Sequence, residues 1–286
     1  MRADSVLTHR TALLLRDPAR AAETVARLTE RGACAAVCQL IDFELPADTR
    51  ALDASLARLL AGDFDWLVLT SVNTLRALKH RAAALNLRLM IPAGTQVAVV
   101  GEATAAALRE LGARVDFMPR HDHSARGMLA EWEQLRAGEP ASVLMPQADI
   151  ASAALREGFA ARGWAAHIVI AYRTVPAPGN PHLALQTPVA APDLPAGSYL
   201  LEPEHLPGAS GRLDAVFFTS PSTVDNFLAR LPAPPAHLAL VAIGDSTAAR
   251  LRARGLEPAA TALFPTPDGL INAWEQSLRA ADHPPR

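Results

Sequence analysis

The 286-residue sequence has little of what several protein classes require. It has no dense run of Lys or Arg and a formal net charge of −2, so a nucleic-acid or membrane-surface partner has no electrostatic support. No apolar stretch approaches the ~18 residues of a membrane span, and the start at Met1 lacks the apolar core of a signal peptide. We therefore expect a cytoplasmic monomer that binds neither nucleic acid nor membrane.

Motifs for cofactors and metals are also missing. Neither G-x-G-x-x-G nor G-K-[ST] occurs, which argues against a nucleotide cofactor. His121 and His123 lie in a polar loop without a third ligand at a convincing spacing, so a solvated loop is favoured over a metal site. The only cysteines, Cys34 and Cys38, share one face of a strand-like run and are expected to pack as small apolar side chains. The sequence predicts no metal and no organic cofactor.

The sequence does contain an internal repeat. A junction between a strand and a helix occurs twice, and each copy is followed by a second such junction and then by a further helix. The matched segments are 65–74 with 214–223, 97–104 with 240–247, and 127–132 with 269–274. Each junction places a loop rich in Ser and Thr after an apolar strand. Open α/β sheets bind ligands at the carboxyl ends of their strands, so these loops are the candidate binding site.

The alternation of strand and helix predicts an α/β fold with parallel sheets and crossover helices. Strand candidates in the middle of the chain are 66–70, 97–100, 115–118, 142–145 and 167–171; those in the tail are 215–219, 239–243 and 261–264. Two more, at 11–15 and 34–41, precede them. The three strands of the tail and the two leading strands together equal the five strands of the middle segment. Residues 1–41 and 176–286 are therefore predicted to form one discontinuous lobe, and 43–172 a lobe inserted in it. The chain would cross between the lobes twice, near 41–46 and near 172–178, with a ligand cleft between the lobes.

The segment 176–207 holds eight of the 23 prolines and is predicted to be an irregular surface connector.

Several of the loops are predicted to begin helices. Asp17 precedes Pro18, and Ser220 precedes Pro221, so both are expected to be N-caps; the repeat extends this to Ser71. The first N–H groups of a helix lack intrahelical partners and accept a carboxylate or phosphate. Capping alone would explain one such loop, but four in two matched pairs favour a binding site.

The second pair of loops carries Thr104 and Thr247, whose hydroxyls can donate to a ligand. Glu102 and Asp245, in the same loops, would repel an anion and are expected to point away from it. Tyr172 stands at the second crossing between the lobes, and the residues alone leave open a packing aromatic or a phenol over the cleft.

Taken together, these motifs resemble uroporphyrinogen-III synthase along nearly the whole chain. The residues that carry the resemblance are the leading strand with Arg16, Thr70-Ser71, Thr219 to Thr223, the paired Gly-x-x-Thr loops, Tyr172 to Val175, and Pro265 to Pro267 before Gly269. The family folds as two α/β lobes, one inserted in the other and joined to it by a pair of antiparallel connecting strands. It is a family of hydro-lyases of tetrapyrrole (heme, porphyrin) biosynthesis. They invert ring D of hydroxymethylbilane, close the macrocycle and eliminate water, without a cofactor.

The resemblance also implies roles for individual residues. The bilane carries eight carboxylates, which the family holds mainly through backbone amides and hydroxyls. The substrate-binding positions carried over are Arg16, Thr70, Ser71, Thr104, Ser220, Pro221, Ser222 and Thr247. Tyr172 corresponds to the tyrosine implicated in departure of the ring-A hydroxyl. One departure follows the strand at 142–146, where Gln147-Ala148 replaces the Arg-Gly of many relatives and Asp149 is expected to cap a helix.

Two other functional classes remain open at this point. A non-enzymatic two-lobed protein that binds a tetrapyrrole or a small anion would share the fold. A sugar- or nucleotide-handling α/β enzyme would need an acid pair or a phosphate loop that the sequence does not show.

Overall fold

A computed structural model describes residues 5–122, 124–132, 141–185 and 193–282. Within these ranges no helix is both long enough and apolar enough to cross a membrane. The strands are β1 (Thr11–Leu14), β2 (Cys34–Val37), β3 (Ile41–Glu44), β4 (Trp66–Leu69), β5 (Gln96–Val99), β6 (Ser142–Ala148), β7 (Ala165–Pro176), β8 (Tyr199–Leu200), β9 (Ala215–Phe218), β10 (Ala239–Ala242) and β11 (Ala260–Thr261).

The α-helices alternate with these strands along most of the chain. They are α1 (Pro18–Glu30), α2 (Arg50–Ala61), α3 (Val72–Ala84), α4 (Glu102–Glu110), α5 (Ala125–Trp132), α6 (Ala154–Ala160), α7 (Leu206–Ala209), α8 (Pro221–Arg230), α9 (Asp245–Ala253) and α10 (Pro267–Asp282). The strands β4 and β9 are buried at every residue, as expected of central strands that helices cover on both faces.

The chain forms two compact units. The described residues 5–42, 176–178 and 193–282 belong to the first unit, and 43–175 with 179–185 belong to the second. The sequence-based division placed 179–185 in the first unit, which is wrong. These residues return to the second unit because the Leu45 N–H donates to the Leu183 carbonyl at 2.8 Å and the Leu185 N–H donates to the Phe43 carbonyl at 2.9 Å.

The first unit is built on a six-stranded sheet of order β11-β10-β9-β1-β2-β8, and each of these neighbouring pairs is parallel. Its sixth strand, β8, comes from the segment predicted to be irregular. That prediction is wrong for the part from Tyr199 onward, where β8 and α7 form, together with a 3₁₀ turn at Pro203–His205. Tyr199 and Leu200 pair with Ala36 and Val37, so the connector completes the sheet edge.

The second unit contains a five-stranded sheet of order β3-β7-β6-β4-β5. The predicted strand 115–118 is reduced to a single parallel bridge between Phe117 and Ala98. The predicted strand 34–41 divides into β2, in the first unit, and β3, which begins at Ile41 and lies beside β7. The predicted fold class of two α/β lobes with mostly parallel sheets is confirmed. The chain first enters the second unit within β3 and first leaves it at the end of β7.

The sequence repeat is reproduced in matching hydrogen bonds at the start of β4 and β9. The Asp65 carboxylate accepts the Ser142 N–H at 2.7 Å, and the Asp214 carboxylate accepts the Thr11 N–H at 2.8 Å. The backbone N–H of each aspartate donates in return to the carbonyl of that same partner. β6 in the second unit therefore occupies the place of β1 in the first.

Extending this match, the order Phe117-β5-β4-β6-β7-β3 corresponds position by position to β11-β10-β9-β1-β2-β8. The two sheets therefore share one order of strands. In the first unit, however, the segment β1-α1-β2 comes from the start of the chain.

Candidate functional site

Three helices in the predicted binding regions begin with the expected caps. The Asp17 carboxylate accepts the Arg20 N–H at 3.1 Å, the Ser71 hydroxyl accepts the Asn73 N–H at 3.1 Å, and the Ser220 hydroxyl accepts an N–H of the first turn of α8 at 3.3 Å. All three N-cap predictions are confirmed. Since β4 and β9 are central strands, both serine caps lie at the carboxyl edge of a sheet.

The backbone amides available to a ligand differ from those expected. The Ser220 N–H donates to the Thr223 hydroxyl in a capping box, and the Thr247 N–H donates to the Gly244 carbonyl at 3.1 Å. Both amides were expected to bind carboxylates, but each already donates to an acceptor at the start of its own helix. The amides left for a ligand are the earlier ones of each helix, such as those of Ser222 and Ser246, which have no acceptor within the helix.

The hydroxyl residues differ in accessibility. Pro221 and Ser222 are exposed, and Ser222 shares a 2.9 Å hydrogen bond with the Ser220 hydroxyl. Thr104 and Thr247 are 4% and 1% exposed in the first turns of α4 and α9. The exposed hydroxyls can reach a ligand directly, whereas the two buried threonines help to fix the helix starts that present the amides.

Tyr172 is buried on β7 rather than free over an opening, with 7% of the residue exposed. Its ring meets Phe43 edge-on at 5.7 Å between centroids, and the Ser71 side chain lies near its phenol. Burial raises the pKa of the phenol, and Ser71 offsets only part of that shift. Tyr172 is therefore a protonated donor at neutral pH, near the residue that caps α3.

A basic site lies in the first unit, beside the carboxyl ends of β1 and β9. The Arg16 Nε is buried without a hydrogen-bond partner in the described part of the chain, and burial lowers the pKa of the guanidinium. The small recess at this point is lined by Leu14, Leu15, Arg16, Thr24, Phe217, Thr219 and Leu270. Arg16 and two threonine side chains are thus brought together in a place that suits a carboxylate.

The corresponding loop of the second unit carries no cation. Gln147 occupies the place of Arg16, because β6 corresponds to β1. Asp149 does not cap α6, which begins at Ala154; its carboxylate accepts the Thr174 N–H at 3.0 Å and pairs with Arg173. The capping prediction for Asp149 is wrong. β6 continues to Ala148, and the Asp149 side chain accepts an N–H of β7 instead of one at the start of a helix.

The remaining predictions concern acids, metals and thiols. Glu102 forms an ion pair with Arg109 on its own helix, which reduces its repulsion of an anion. Within the described ranges no group of His, Cys, Asp and Glu could hold a metal ion. Of the histidine pair, His123 lies outside those ranges. Both cysteines are free thiols, and burial raises the pKa of Cys38 to about 12.

Comparison with known proteins identifies the family of this two-unit fold. The family model described as "Uroporphyrinogen-III synthase HemD" matches residues 22–272. The chain belongs to this family. A uroporphyrinogen-III synthase of Synechococcus elongatus is 28% identical over 137 residues, and the match spans 48% of this chain and half the length of that relative.

Two solved structures of uroporphyrinogen III synthases share the fold. The protein of Thermus thermophilus matches with a TM-score of 0.62 and 18% identity, covering 94% of this chain and 99% of that one. The protein of Helicobacter pylori matches with a TM-score of 0.52 and 16% identity, covering 92% of this chain and 97% of that one.

Two neighbours of the candidate site residues in this family member, Thr24 and Phe43, were not predicted from the sequence. Thr24 stands in the buried stripe of α1 between Ala21 and Val25, and a polar residue at such a position was the available signal. Phe43 gave none, because its contact with Tyr172 depends on the pairing of β3 with β7.

Proposed function

We propose that this chain is a uroporphyrinogen-III synthase, which converts hydroxymethylbilane to uroporphyrinogen III with inversion of ring D and loss of water. The observation that carries the proposal is the pairing of Tyr172 with the Ser71 cap in a chain of this family. It places a proton donor next to an anion-accepting helix start. The alternative of a non-enzymatic binding protein finds no support in the family match.

In this proposal the carboxylates of the bilane bind at helix starts that follow strands of the sheets. The early amides of α3, α4, α8 and α9 supply N–H donors and the positive ends of helix dipoles. The hydroxyls of Thr70, Ser71, Ser220 and Ser222 add donors, and Arg16 adds one buried positive charge. A protein of net charge −2 can bind an anion of this kind because most of the donors are backbone groups.

The chemical step assigned to Tyr172 is protonation of the leaving hydroxyl. As the bond between the terminal methylene carbon and its oxygen breaks, the phenol gives its proton to that oxygen and water leaves. The electron pair of the ring-A pyrrole stabilises the methylene carbon, and ring D attacks it through the α-carbon that already bears the link to ring C. The bond from that α-carbon to the ring-C methylene then breaks, and this methylene forms a new bond to the free α-carbon of ring D. The free α-carbon loses its proton, which restores the Tyr172 phenol. The raised pKa of Tyr172 favours the neutral phenol that this step needs. Positioning of ring D selects the inverted product.

The proposal includes the setting in which the enzyme works. We propose that it acts as a monomer in the cytoplasm on this small-molecule substrate, without nucleic acid, membrane or cofactor. Two free thiols are compatible with a reducing compartment. Sedimentation at micromolar concentration tests the monomer.

The reaction is tested by supplying the bilane and separating the uroporphyrin isomers after oxidation. The bilane closes without an enzyme to the uninverted isomer I. We expect catalytic amounts of the protein to give mainly isomer III. Isomer I alone, at the spontaneous rate, would reject the proposal.

A further inference from the structure

The loop between β11 and α10 displays two adjacent apolar side chains to solvent. Leu263 is 85% exposed and Phe264 is 63% exposed. We call this pair the apolar tip. Isolated exposed apolar residues are common, but two neighbours in one short loop form a patch that needs a reason.

The backbone of the loop is fixed, which keeps the apolar tip from folding back onto the core. The Phe264 carbonyl accepts the Thr266 N–H at 2.8 Å, and the Thr266 hydroxyl accepts the Gly269 N–H at 3.1 Å. A Cβ on Gly269 would lie 2.0 Å from the Phe264 carbonyl oxygen, so the loop packs directly on the start of α10.

The repeat shows that this scaffold does not require apolar residues. In the second unit the same close approach joins Gly127 to the Asp122 carbonyl, where a Cβ would lie 1.9 Å from the oxygen. The residues that correspond to Leu263 and Phe264 are His121 and Asp122. One scaffold thus carries a polar pair in one unit and an apolar pair in the other, which points to a role for the apolar tip outside the fold.

The position of the apolar tip relates it to the proposed site. β11 is parallel to β10, and β10 is parallel to β9, so the carboxyl ends of the three strands share one edge of the sheet. The loops after β9 and β10 begin α8 and α9, which offer the amides assigned to carboxylates. The apolar tip follows the third strand on the same edge.

We propose that Leu263 and Phe264 bind the face of a pyrrole ring of the tetrapyrrole while the neighbouring helix starts bind its carboxylates. This inference rests on the proposed function and adds the apolar half of the recognition. A tetrapyrrole presents flat apolar rings edged with acids, and an aromatic and an aliphatic side chain side by side match a ring face. Because the backbone of the loop is already fixed, binding has only to order the two side chains.

The test compares the wild type with the double variant Leu263→Gln/Phe264→Asn, which places neutral polar residues on a scaffold that tolerates a polar pair. The control is Leu87→Ser/Met90→Ser, in which two exposed apolar residues are removed before β5, away from the carboxyl edge. Two measurements are made: the Kd of uroporphyrin III by fluorescence, and KM, kcat and isomer ratio with the bilane. Thermal unfolding of all three proteins checks the fold.

We expect the tip variant to raise Kd and KM roughly tenfold with little change in kcat, because ring contact is made before and during the reaction. The control should match the wild type. Unchanged Kd and KM in the tip variant would overturn the inference, and so would an equal loss of affinity in the control. A tip variant with intact kinetics that is a monomer where the wild type is a dimer would also overturn it, because the tip would then be a contact between two copies of the chain. A wild type that forms no isomer III but binds uroporphyrin through the tip would reject the enzyme and retain the inference; no binding by the wild type would reject both.

Discussion

At the scale of single residues, Ser71 has two tasks at once. Its hydroxyl accepts the Asn73 N–H as the cap of α3, and its side chain lies near the Tyr172 phenol and lowers the pKa of that phenol. Loss of Ser71 should therefore affect both the stability of a helix and the placement of a proton donor. Ser220 is a capping serine without a tyrosine partner, and it separates the two effects.

A double-mutant cycle of Tyr172→Phe and Ser71→Ala tests this coupling. Alone, Tyr172→Phe should lower kcat by up to about 10²–10⁴-fold and increase the share of isomer I. It should change the stability little, because the ring and its contact with Phe43 are kept. Ser71→Ala should slow the wild type but have little further effect on the kcat of Tyr172→Phe.

Ser220→Ala is the control for this cycle. It should cost a similar cap energy of about 0.5–2 kcal/mol, and its kinetic effect should add to that of Tyr172→Phe. The coupling would be disproved if Ser71→Ala slowed the enzyme equally with and without the phenol.

Charge at the start of α8 is tested by comparing Ser220→Asp with Ser220→Asn. Both residues are good N-caps, so both variants should unfold within a few °C of the wild type. Only aspartate sets a negative charge against the proposed carboxylate, and we expect it to raise KM about tenfold or more relative to asparagine. Equal KM values in the two variants would argue against an anion site at this helix start.

At the scale of elements, the clearest match between the two units is a pair of glycines, Gly127 and Gly269, each of which packs against a backbone carbonyl oxygen. A Cβ on Gly127 or Gly269 would lie within 2.0 Å of the Asp122 or Phe264 carbonyl oxygen, which is backbone and cannot turn away. The residue identities at 127 and 269 suggested the repeat from sequence, but the contact itself required the structure.

Gly127→Ala and Gly269→Ala should each cost about 1–3 kcal/mol, measured by urea unfolding, because the loop must move to admit a methyl group. Gly208→Ala, in α7, is the matched control, since nothing lies within 4 Å of its Cβ position. We expect it to be neutral or slightly stabilising. A loss at Gly208 as large as those at the two repeat glycines would show that the contact is not the cause.

Secondary structure within the repeated junctions could be predicted because strand, cap and helix follow one another locally. Ser71 and Ser220 are examples, and each is confirmed as a cap. The failures were non-local. β8 forms only because Ala36 and Val37 leave an open edge, and the 115–118 segment is shortened to one bridge although its sequence suits a strand. The partners of Tyr172 likewise depend on which strands become neighbours.

At the scale of the whole molecule, the sheets of the two units share one order of strands but take those strands in a different order along the chain. The second unit runs without interruption from β3 to β7, whereas the first needs β1-α1-β2 from the start of the chain and everything after β8. We propose that the second unit is an independent domain, because its two buried clusters lie wholly within residues 43–185 and only the first two residues of the edge strand β3 fall outside that range.

A protein consisting of residues 43–187 should therefore fold alone, with a cooperative thermal transition by circular dichroism. Residues 188–286 lack β1 and β2, which lie in the middle of the first sheet between β9 and β8, and should not fold alone. Addition of a peptide of residues 1–42 supplies the missing strands and is the positive control. An unfolded 43–187 beside a folded 188–286 would contradict the division.

The central claim is that the chain directs ring D to its inverted closure, and the most direct measurement is the fraction of isomer III over a series of enzyme concentrations at fixed bilane. Spontaneous closure competes at a constant rate, so the account predicts isomer I without enzyme and a fraction of isomer III that rises toward completion as enzyme is added. Tyr172→Phe should need a higher concentration to reach the same fraction. Isomer I at every concentration, while the bilane is consumed at the spontaneous rate, would contradict the account.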